Sequence, residues 1–174
     1  GGATATVLGP VSEATDNLND TSIVLKLVNG NNSFLFTGDA EMDEEHDIIN
    51  RWQGNLDVDV LKVGHHGARN ASTYVFLRET MPEYAVISVG KDNTYGHPTE
   101  DALSRLRDAG AKVYRTDMQG HIVAKSDGEN ITFTTKKNES VETNPTTSEK
   151  VETSYIGNKN SKKLHKPTCG SLPK

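Results

Sequence analysis

The sequence has little that would support a disulfide framework, a membrane span or a large hydrophobic core. Its 174 residues include one cysteine, Cys169, so no disulfide can form within the chain. No apolar run approaches the length that crosses a bilayer. Apolar residues make up 33% of the chain, are concentrated in 21–125 and are nearly absent from 136–174. We therefore predict a folded region followed by a segment that packs poorly.

An excess of positive charge is also missing. The chain has 19 basic and 24 acidic residues and a net charge of -5. Proteins that bind nucleic acid through their overall field usually present a basic face, so this balance gives no general attraction to DNA. A nuclease stays compatible with it, because bound divalent cations neutralise an acidic site locally. Gly1 to Ala5 lack the features of a signal peptide, and we expect this end to be a division point in a longer chain.

Short apolar segments alternate with amphipathic ones and predict a mixed α/β fold. Strands are predicted at 22–28, 33–37, 58–63, 84–89 and 112–115, and helices at 41–52, 73–80 and from 98 or 99 to 110. Asn29-Gly30 predicts a tight turn between the first two strands, and Asp127-Gly128 a second hairpin, over 121–135. The polar residues 1–20 are predicted to form a loop.

We predict three regions: a folded domain over 1–135, a disordered linker over 136–154 and a small terminal segment over 155–174. The linker composition cannot bury enough apolar surface to offset the entropy of ordering. In the terminal segment, His165 and Cys169 are spaced like two zinc ligands. A closed structural zinc site needs four ligands, so an unstructured basic tail is the favoured alternative.

Three polar motifs occur where a predicted strand ends before a helix. They are Thr37-Gly38-Asp39, Gly64-His65-His66-Gly67 and Tyr95-Gly96-His97-Pro98. The carboxyl ends of strands in an α/β sheet meet at one edge, where ligand sites form. We therefore expect the three loops to converge.

Each motif has a chemical and a structural interpretation. The Asp39 carboxylate can bridge two metal ions, or it can cap the following helix. One imidazole of the His65-His66 pair can bind a metal while its neighbour contacts substrate or water, or the two can be hydrogen-bonded loop residues.

His97 shares its loop with Asn93 and Tyr95. Imidazole, phenol and amide groups together suit an anionic or phosphate-bearing substrate. The alternative is a loop that Pro98 holds in place and in which His97 makes a local hydrogen bond.

Read in order, these motifs resemble the metallo-β-lactamase domain of the competence protein ComEC and its secreted, stand-alone relatives. The resemblance covers about 20–135. It is carried by Ser22 to Leu27, Phe34-Leu35-Phe36-Thr37-Gly38-Asp39, Asp59-Val60-Leu61-Lys62-Val63-Gly64-His65-His66-Gly67, Ile87-Ser88-Val89-Gly90, Asn93, Tyr95-Gly96-His97-Pro98 and Val113-Tyr114-Arg115-Thr116-Asp117.

The resemblance implies an αββα sandwich that holds one or two metal ions, zinc or manganese, at the sheet edge. Asp39 matches the family's bridging aspartate and His65 a metal-binding histidine. His66 and His97 match positions that line the site, and we predict both as catalytic. Asn93, Tyr95 and His97 are predicted to bind the substrate.

One departure from the family pattern bears on activity. The main metal-binding signature, His-x-His-x-Asp-His in the N-terminal half, does not occur in this sequence. We therefore expect the chain to correspond to the C-terminal half of the domain and to need the missing N-terminal half as a partner. Alone, it is expected to bind metal weakly and to be inactive, because a catalytic zinc needs three protein ligands. Ala68 is a smaller departure, since relatives often carry Ser there.

The predicted function is metal-dependent hydrolysis of phosphodiesters, with DNA as the substrate, through metal-activated hydroxide. One alternative is a phosphorylcholine-type phosphoesterase of the same fold. Another is a non-catalytic surface or DNA-binding module. The secreted relatives imply an extracellular or cell-surface location.

Overall fold

The computed structural model describes residues 2–11 and 16–145, and the backbone of 156–158 and 163–165. Its strands are β1 Thr4–Gly9, β2 Val24–Asn29, β3 Asn32–Phe36, β4 Val60–Lys62, β5 Tyr84–Ile87, β6 Lys112–Arg115, β7 Ile122–Ser126, β8 Ile131–Thr135, β9 Ile156–Asn158 and β10 Lys163–His165. Its α-helices are α1 Met42–Trp52, α2 Tyr74–Thr80, α3 Glu100–Asp108 and α4 Thr116–Gln119. Short 3-10 segments occur at Leu18–Thr21 and Gly64–Gly67. The predicted α/β class is confirmed.

Strands β1 to β6 form one mixed sheet in sequence order. The pairs β1–β2 and β2–β3 are antiparallel, whereas β3–β4, β4–β5 and β5–β6 are parallel. Each parallel pair is joined through a helix, so α1, α2 and α3 lie between successive parallel strands in the chain. This topology brings the carboxyl ends of β3, β4, β5 and β6 to one edge, as the sequence predicted.

The hydrophobic core lies between the sheet and its helices. Alternate strand residues Leu35, Leu61 and Ile87 are fully buried there. They share the core with Ile48 of α1 and Leu106 of α3. The apolar faces of the helices therefore pack against the apolar face of the sheet. This packing fixes the register of the strands.

The other face of the sheet is partly covered by the β7–β8 hairpin. Phe133 of that hairpin stacks on Tyr114, with ring centroids 4.4 Å apart. The two predicted turns meet, because the Asn31 N–H donates to the Gly128 carbonyl over 2.7 Å. Gly30 has φ +58°, and a Cβ there would lie 2.3 Å from that carbonyl oxygen, so this contact requires glycine.

Two boundaries in the structure differ from those that the sequence predicted. Residues 1–20 are not all loop, because Thr4–Gly9 forms the edge strand β1. Part of the predicted linker packs on the folded unit, which extends to Asn144. The Thr143 hydroxyl donates to the Val113 carbonyl over 2.5 Å. Residues 146–154 of that linker prediction lie outside the described residues.

A second unit covers 145–174, of which the structure describes Pro145 and the backbone of 156–158 and 163–165. Within it, β9 and β10 pair antiparallel, with Gly157 opposite Leu164. The predicted zinc ligand Cys169 lies outside the described residues. In the part of the chain that is described, no helix is long and apolar enough to span a membrane.

Candidate active site

The three predicted loops meet at the carboxyl edge of the sheet. The His65 N–H donates to the Gly38 carbonyl over 3.1 Å, which joins the loop after β4 to the loop after β3. The Thr99 N–H donates to the Gly67 carbonyl over 2.9 Å, which joins the loop after β4 to the one after β5. Backbone hydrogen bonds therefore hold Asp39, the histidine pair and His97 in one region.

The histidine pair has an unusual backbone. His65 has φ 42° and ψ 48°, and His66 has φ 55° and ψ 20°, so both are in the left-handed region. A non-glycine residue there costs about 1–3 kcal/mol, and such strain clusters at functional sites. Gly67 follows with φ +82°, and a Cβ on it would lie 2.7 Å from Cβ of Pro98. The two imidazole planes are 67° apart.

His66 faces Asp39. Its Nε2 lies 3.5 Å from Asp39 Oδ1, and both side chains are nearly half exposed. Its Nδ1 lies 2.7 Å from the Ser88 carbonyl oxygen, which can only accept, so Nδ1 carries a proton. In the neutral ring Nε2 is then free to accept a proton or bind a cation.

The helix-capping interpretation of Asp39 is wrong. Helix α1 begins at Met42, and its N-cap residue is Glu41, whose side chain makes no capping hydrogen bond. The backbone N–H of Asp39 donates to the Ser22 hydroxyl over 3.0 Å, and its carboxylate lies at the sheet edge beside His66.

His65 lies against Glu41, a residue that the sequence pattern did not single out. Its Nδ1 is 2.8 Å from Glu41 Oε1, and both side chains are largely buried. The carboxylate lies off the N–H direction, so this is a close polar contact rather than an aligned hydrogen bond. A carboxylate at Nδ1 leaves Nε2 as the nitrogen available to a metal, an arrangement common around metal-binding histidines.

Glu41 is itself held by amide side chains. Asn19 Nδ2 donates to Oε1 over 2.6 Å, and Asn17 Nδ2 donates to Oε2 over 2.9 Å. Burial alone would raise the pKa of Glu41. Hydrogen bonds from Asn19, Asn17 and Asn70 and the nearby His65 together outweigh burial, so the net shift of the pKa is downward. The carboxylate form that faces His65 is thereby stabilised.

His97 completes the imidazole cluster. Its ring centroid lies 5.7 Å from that of His65, and His65 and His66 are 6.1 Å apart. Burial lowers the pKa of His97, and His65 and His66 lower it further, so the neutral form is favoured. Its Nδ1 is buried without a hydrogen-bond partner among the described residues. Such an orphaned polar atom is typical of a site that awaits a ligand or an ion.

Asn93 holds the loop instead of facing outward. Its Nδ2 donates to the carbonyls of Gly90 and His97, over 3.0 and 2.7 Å. Its Oδ1 accepts from the backbone N–H groups of Tyr95 and His97. Both amide hydrogens are therefore used within the loop, so the structure favours a positioning role over the predicted substrate contact.

Two further residues support the strands beneath the site. Burial lowers the pKa of Lys62, and the nearby Asp39 carboxylate opposes this shift. The Nζ of Lys62 donates to the Val63 carbonyl over 2.8 Å. The Thr116 hydroxyl accepts from the Val89 N–H over 2.7 Å. That contact fixes the end of the segment whose Ser88 carbonyl meets His66.

The donors present fit part of a metal site. Imidazole and carboxylate groups suit zinc or manganese. Within 2–11 and 16–145, however, no three His, Cys, Asp or Glu side chains lie close enough together to hold an ion. Further ligands are needed to complete a catalytic site.

Comparisons with known proteins point in one direction. The chain is 44% identical over 102 residues to competence protein ComA of Neisseria gonorrhoeae. It is 38% identical over 116 residues to ComE operon protein 3 of Bacillus subtilis and 34% identical over 116 residues to recombination protein 2 of Haemophilus influenzae. The similarity supports a competence-related family. No family model and no solved structure matches the chain.

The match covers most of this chain but little of the relatives. It spans 59% of the chain and 15% of the Neisseria competence protein. It spans 67% of the chain and 15% of the Bacillus protein, and 67% and 14% for the Haemophilus protein. The similarity therefore concerns one region of much longer relatives.

Proposed function

We propose that this chain carries part of the active site of a metal-dependent phosphodiesterase that acts on DNA during DNA uptake. The observation that carries the proposal is the convergence of Asp39, His65, His66 and His97 at one sheet edge, with His65 and His66 in strained left-handed conformations. The competence-related homologues support DNA as the substrate. The extracellular or cell-surface location implied by the resemblance belongs to the same proposal.

In this proposal, Asp39 and Nε2 of His65 would hold metal together with ligands from the first half of the domain. Two zinc or manganese ions, when bound in the complete domain, would supply a lowered pKa of bound water and polarisation of the phosphoryl oxygen. His66 lies beside Asp39 with its proton fixed on Nδ1, so its Nε2 is placed to accept or share a proton. Neutral His97 would contact the substrate beside this pair.

The sheet face that the β7–β8 hairpin covers only in part supports the need for a second half. A cavity of about 540 Å³ lies there, lined by sheet residues such as Leu27, Phe34 and Val60 and by Ile122 of the hairpin. Phe36 on the same face is 42% exposed. An exposed aromatic side chain beside an apolar cavity is compatible with an interaction site. We propose that the first half of the domain covers it.

Cleavage assays on the chain assembled with that first half test the proposal. Asp39→Asn and His65→Ala are expected to lower DNA cleavage at least a hundredfold, because each removes a metal-binding group. His66→Ala is expected to lower kcat more than KM. His46→Ala is the matched control, since this histidine is 71% exposed and lies on α1 away from the cluster.

A substrate panel separates the candidate activities. Faster turnover of DNA than of a phosphorylcholine ester supports the nuclease assignment, and the reverse preference supports the esterase alternative. Wild-type activity in both Asp39→Asn and His65→Ala would show that the chemistry does not use this cluster.

A further inference from the structure

An exposed aromatic ring stands beside the histidine cluster. Tyr95 is 81% exposed, the highest fraction among the large hydrophobic side chains of the described region after Leu18. Its ring is nearly parallel to that of His97, with centroids 5.9 Å apart and planes 19° apart. The high exposure leaves the Tyr95 ring open to a stacking partner.

The loop that carries Tyr95 is preorganised. Asn93 Oδ1 accepts from the backbone N–H groups of both Tyr95 and His97, over 3.2 and 3.1 Å. An exposed large side chain on a firmly bonded turn loses little backbone freedom when it binds. This arrangement suits a binding platform better than an incidental surface residue.

A small cavity of about 200 Å³ adjoins the ring. It is lined by His66, Val89, Gly90, Asn93, Tyr95 and His97. The volume is below the roughly 300–1,000 Å³ of complete ligand pockets, and suits a single planar ring system. None of the lining residues is lysine or arginine, so the cavity offers stacking and hydrogen bonding rather than attraction to phosphate.

We propose that this cavity receives one unpaired nucleobase of the DNA substrate, with Tyr95 and His97 as its stacking platform. The inference rests on the proposed function, because it places the base next to a phosphate at His66 and Asp39. Bases inside a duplex already stack on both neighbours, so a protruding tyrosine finds a free base face at an unpaired base or at a strand end. The site therefore selects single-stranded segments or frayed ends.

Binding without metal tests the inference separately from catalysis. A labelled single-stranded oligothymidylate and an abasic oligonucleotide of equal length are titrated with the chain in EDTA, and fluorescence anisotropy gives Kd. The chain is expected to bind the base-bearing strand more tightly. Tyr95→Ala is expected to weaken that binding about fivefold or more, since stacking on one aromatic side chain has roughly this effect. Tyr95→Phe should bind like the wild type.

Tyr74→Ala is the matched control, because Tyr74 is 55% exposed on α2 and contacts Asp108. Equal affinity for the two oligonucleotides, no binding of the base-bearing strand, or an unchanged Kd in Tyr95→Ala would overturn the inference. Base-dependent binding together with inactive assembled protein would instead count against the proposed phosphodiesterase alone.

Discussion

At the scale of single residues, the largest addition to the sequence prediction is Glu41. Glu41 lies two positions after Asp39 and directly before helix α1. The helix dipole alone would account for an acidic residue at that position, so the sequence pattern gave no reason to assign Glu41 a further role. Its partners Asn17 and Asn19 are more than twenty positions away, in a segment predicted as loop. No local pattern encodes that contact, whereas the strand-end placement of Asp39 and His65 is readable because strand ends share one edge.

The Glu41–His65 contact predicts a defined tautomer. In the wild-type chain, ¹⁵N NMR at a pH where imidazole is neutral should show the proton of His65 on Nδ1, because the carboxylate lies 2.8 Å away. Glu41→Ala should shift the ring toward the Nε2–H form that free histidine favours. His46 in the same spectra is the internal control. An unchanged His65 spectrum in Glu41→Ala would mean that the carboxylate does not orient this ring.

At the scale of elements, the loop after the histidine pair is held from two sides. Glu45 of α1 accepts from the Ser72 and Thr73 N–H groups, over 2.5 and 2.9 Å. Arg105 of α3 donates to the carbonyls of Ser72 and Ala71, each over 2.8 Å. The helices thereby fix the segment that follows His66.

Glu45 predicts a pH dependence of stability. Burial raises its pKa from 4.5 to about 7, although hydrogen bonds from Thr73 and Ser72 and the charge of Arg105 oppose this. Between pH 4.5 and 7, the folded chain therefore keeps a proton on Glu45 that the unfolded chain has lost. The contribution of this proton to the free energy of unfolding is full below pH 4.5. It is lost as the pH rises through 7, by on the order of 3 kcal/mol.

Urea denaturation between pH 4.5 and 8 measures this effect. Glu45→Gln stays neutral, so its free energy of unfolding should fall less over that range than that of the wild type. Glu139→Gln, at an exposed position, should follow the wild type. Parallel wild-type and Glu45→Gln curves would show that folding does not shift the pKa of Glu45.

The elements also show why some boundaries were missed. In β1, Thr4 to Val7 are exposed and Leu8 is the buried apolar residue, so the strand is held by backbone pairing with β2 and carries little hydrophobic signal. The parallel strands β3 and β4 bury residues such as Leu35 and Leu61 completely, and their apolar runs made them predictable.

At the scale of the whole molecule, the folded unit ends later than the composition indicates. Residues 136–144 include one apolar side chain, Val141, yet Thr143 and Asn144 donate to the carbonyls of Val113 and Leu103. A chain ending at 135 should therefore have a lower free energy of unfolding than one ending at 145, by about 1–3 kcal/mol. Urea denaturation of the two chains checks this, and equal midpoints would show that the segment adds no stability.

The most direct test of the central claim is the metal content of this chain, purified alone and after assembly with the first half of the domain. The divided-site account predicts nearly no bound zinc or manganese alone and about two ions per assembled molecule, reduced by Asp39→Asn. Stoichiometric metal in the isolated chain, with DNA cleavage, would contradict the account, because these residues would then form a complete site.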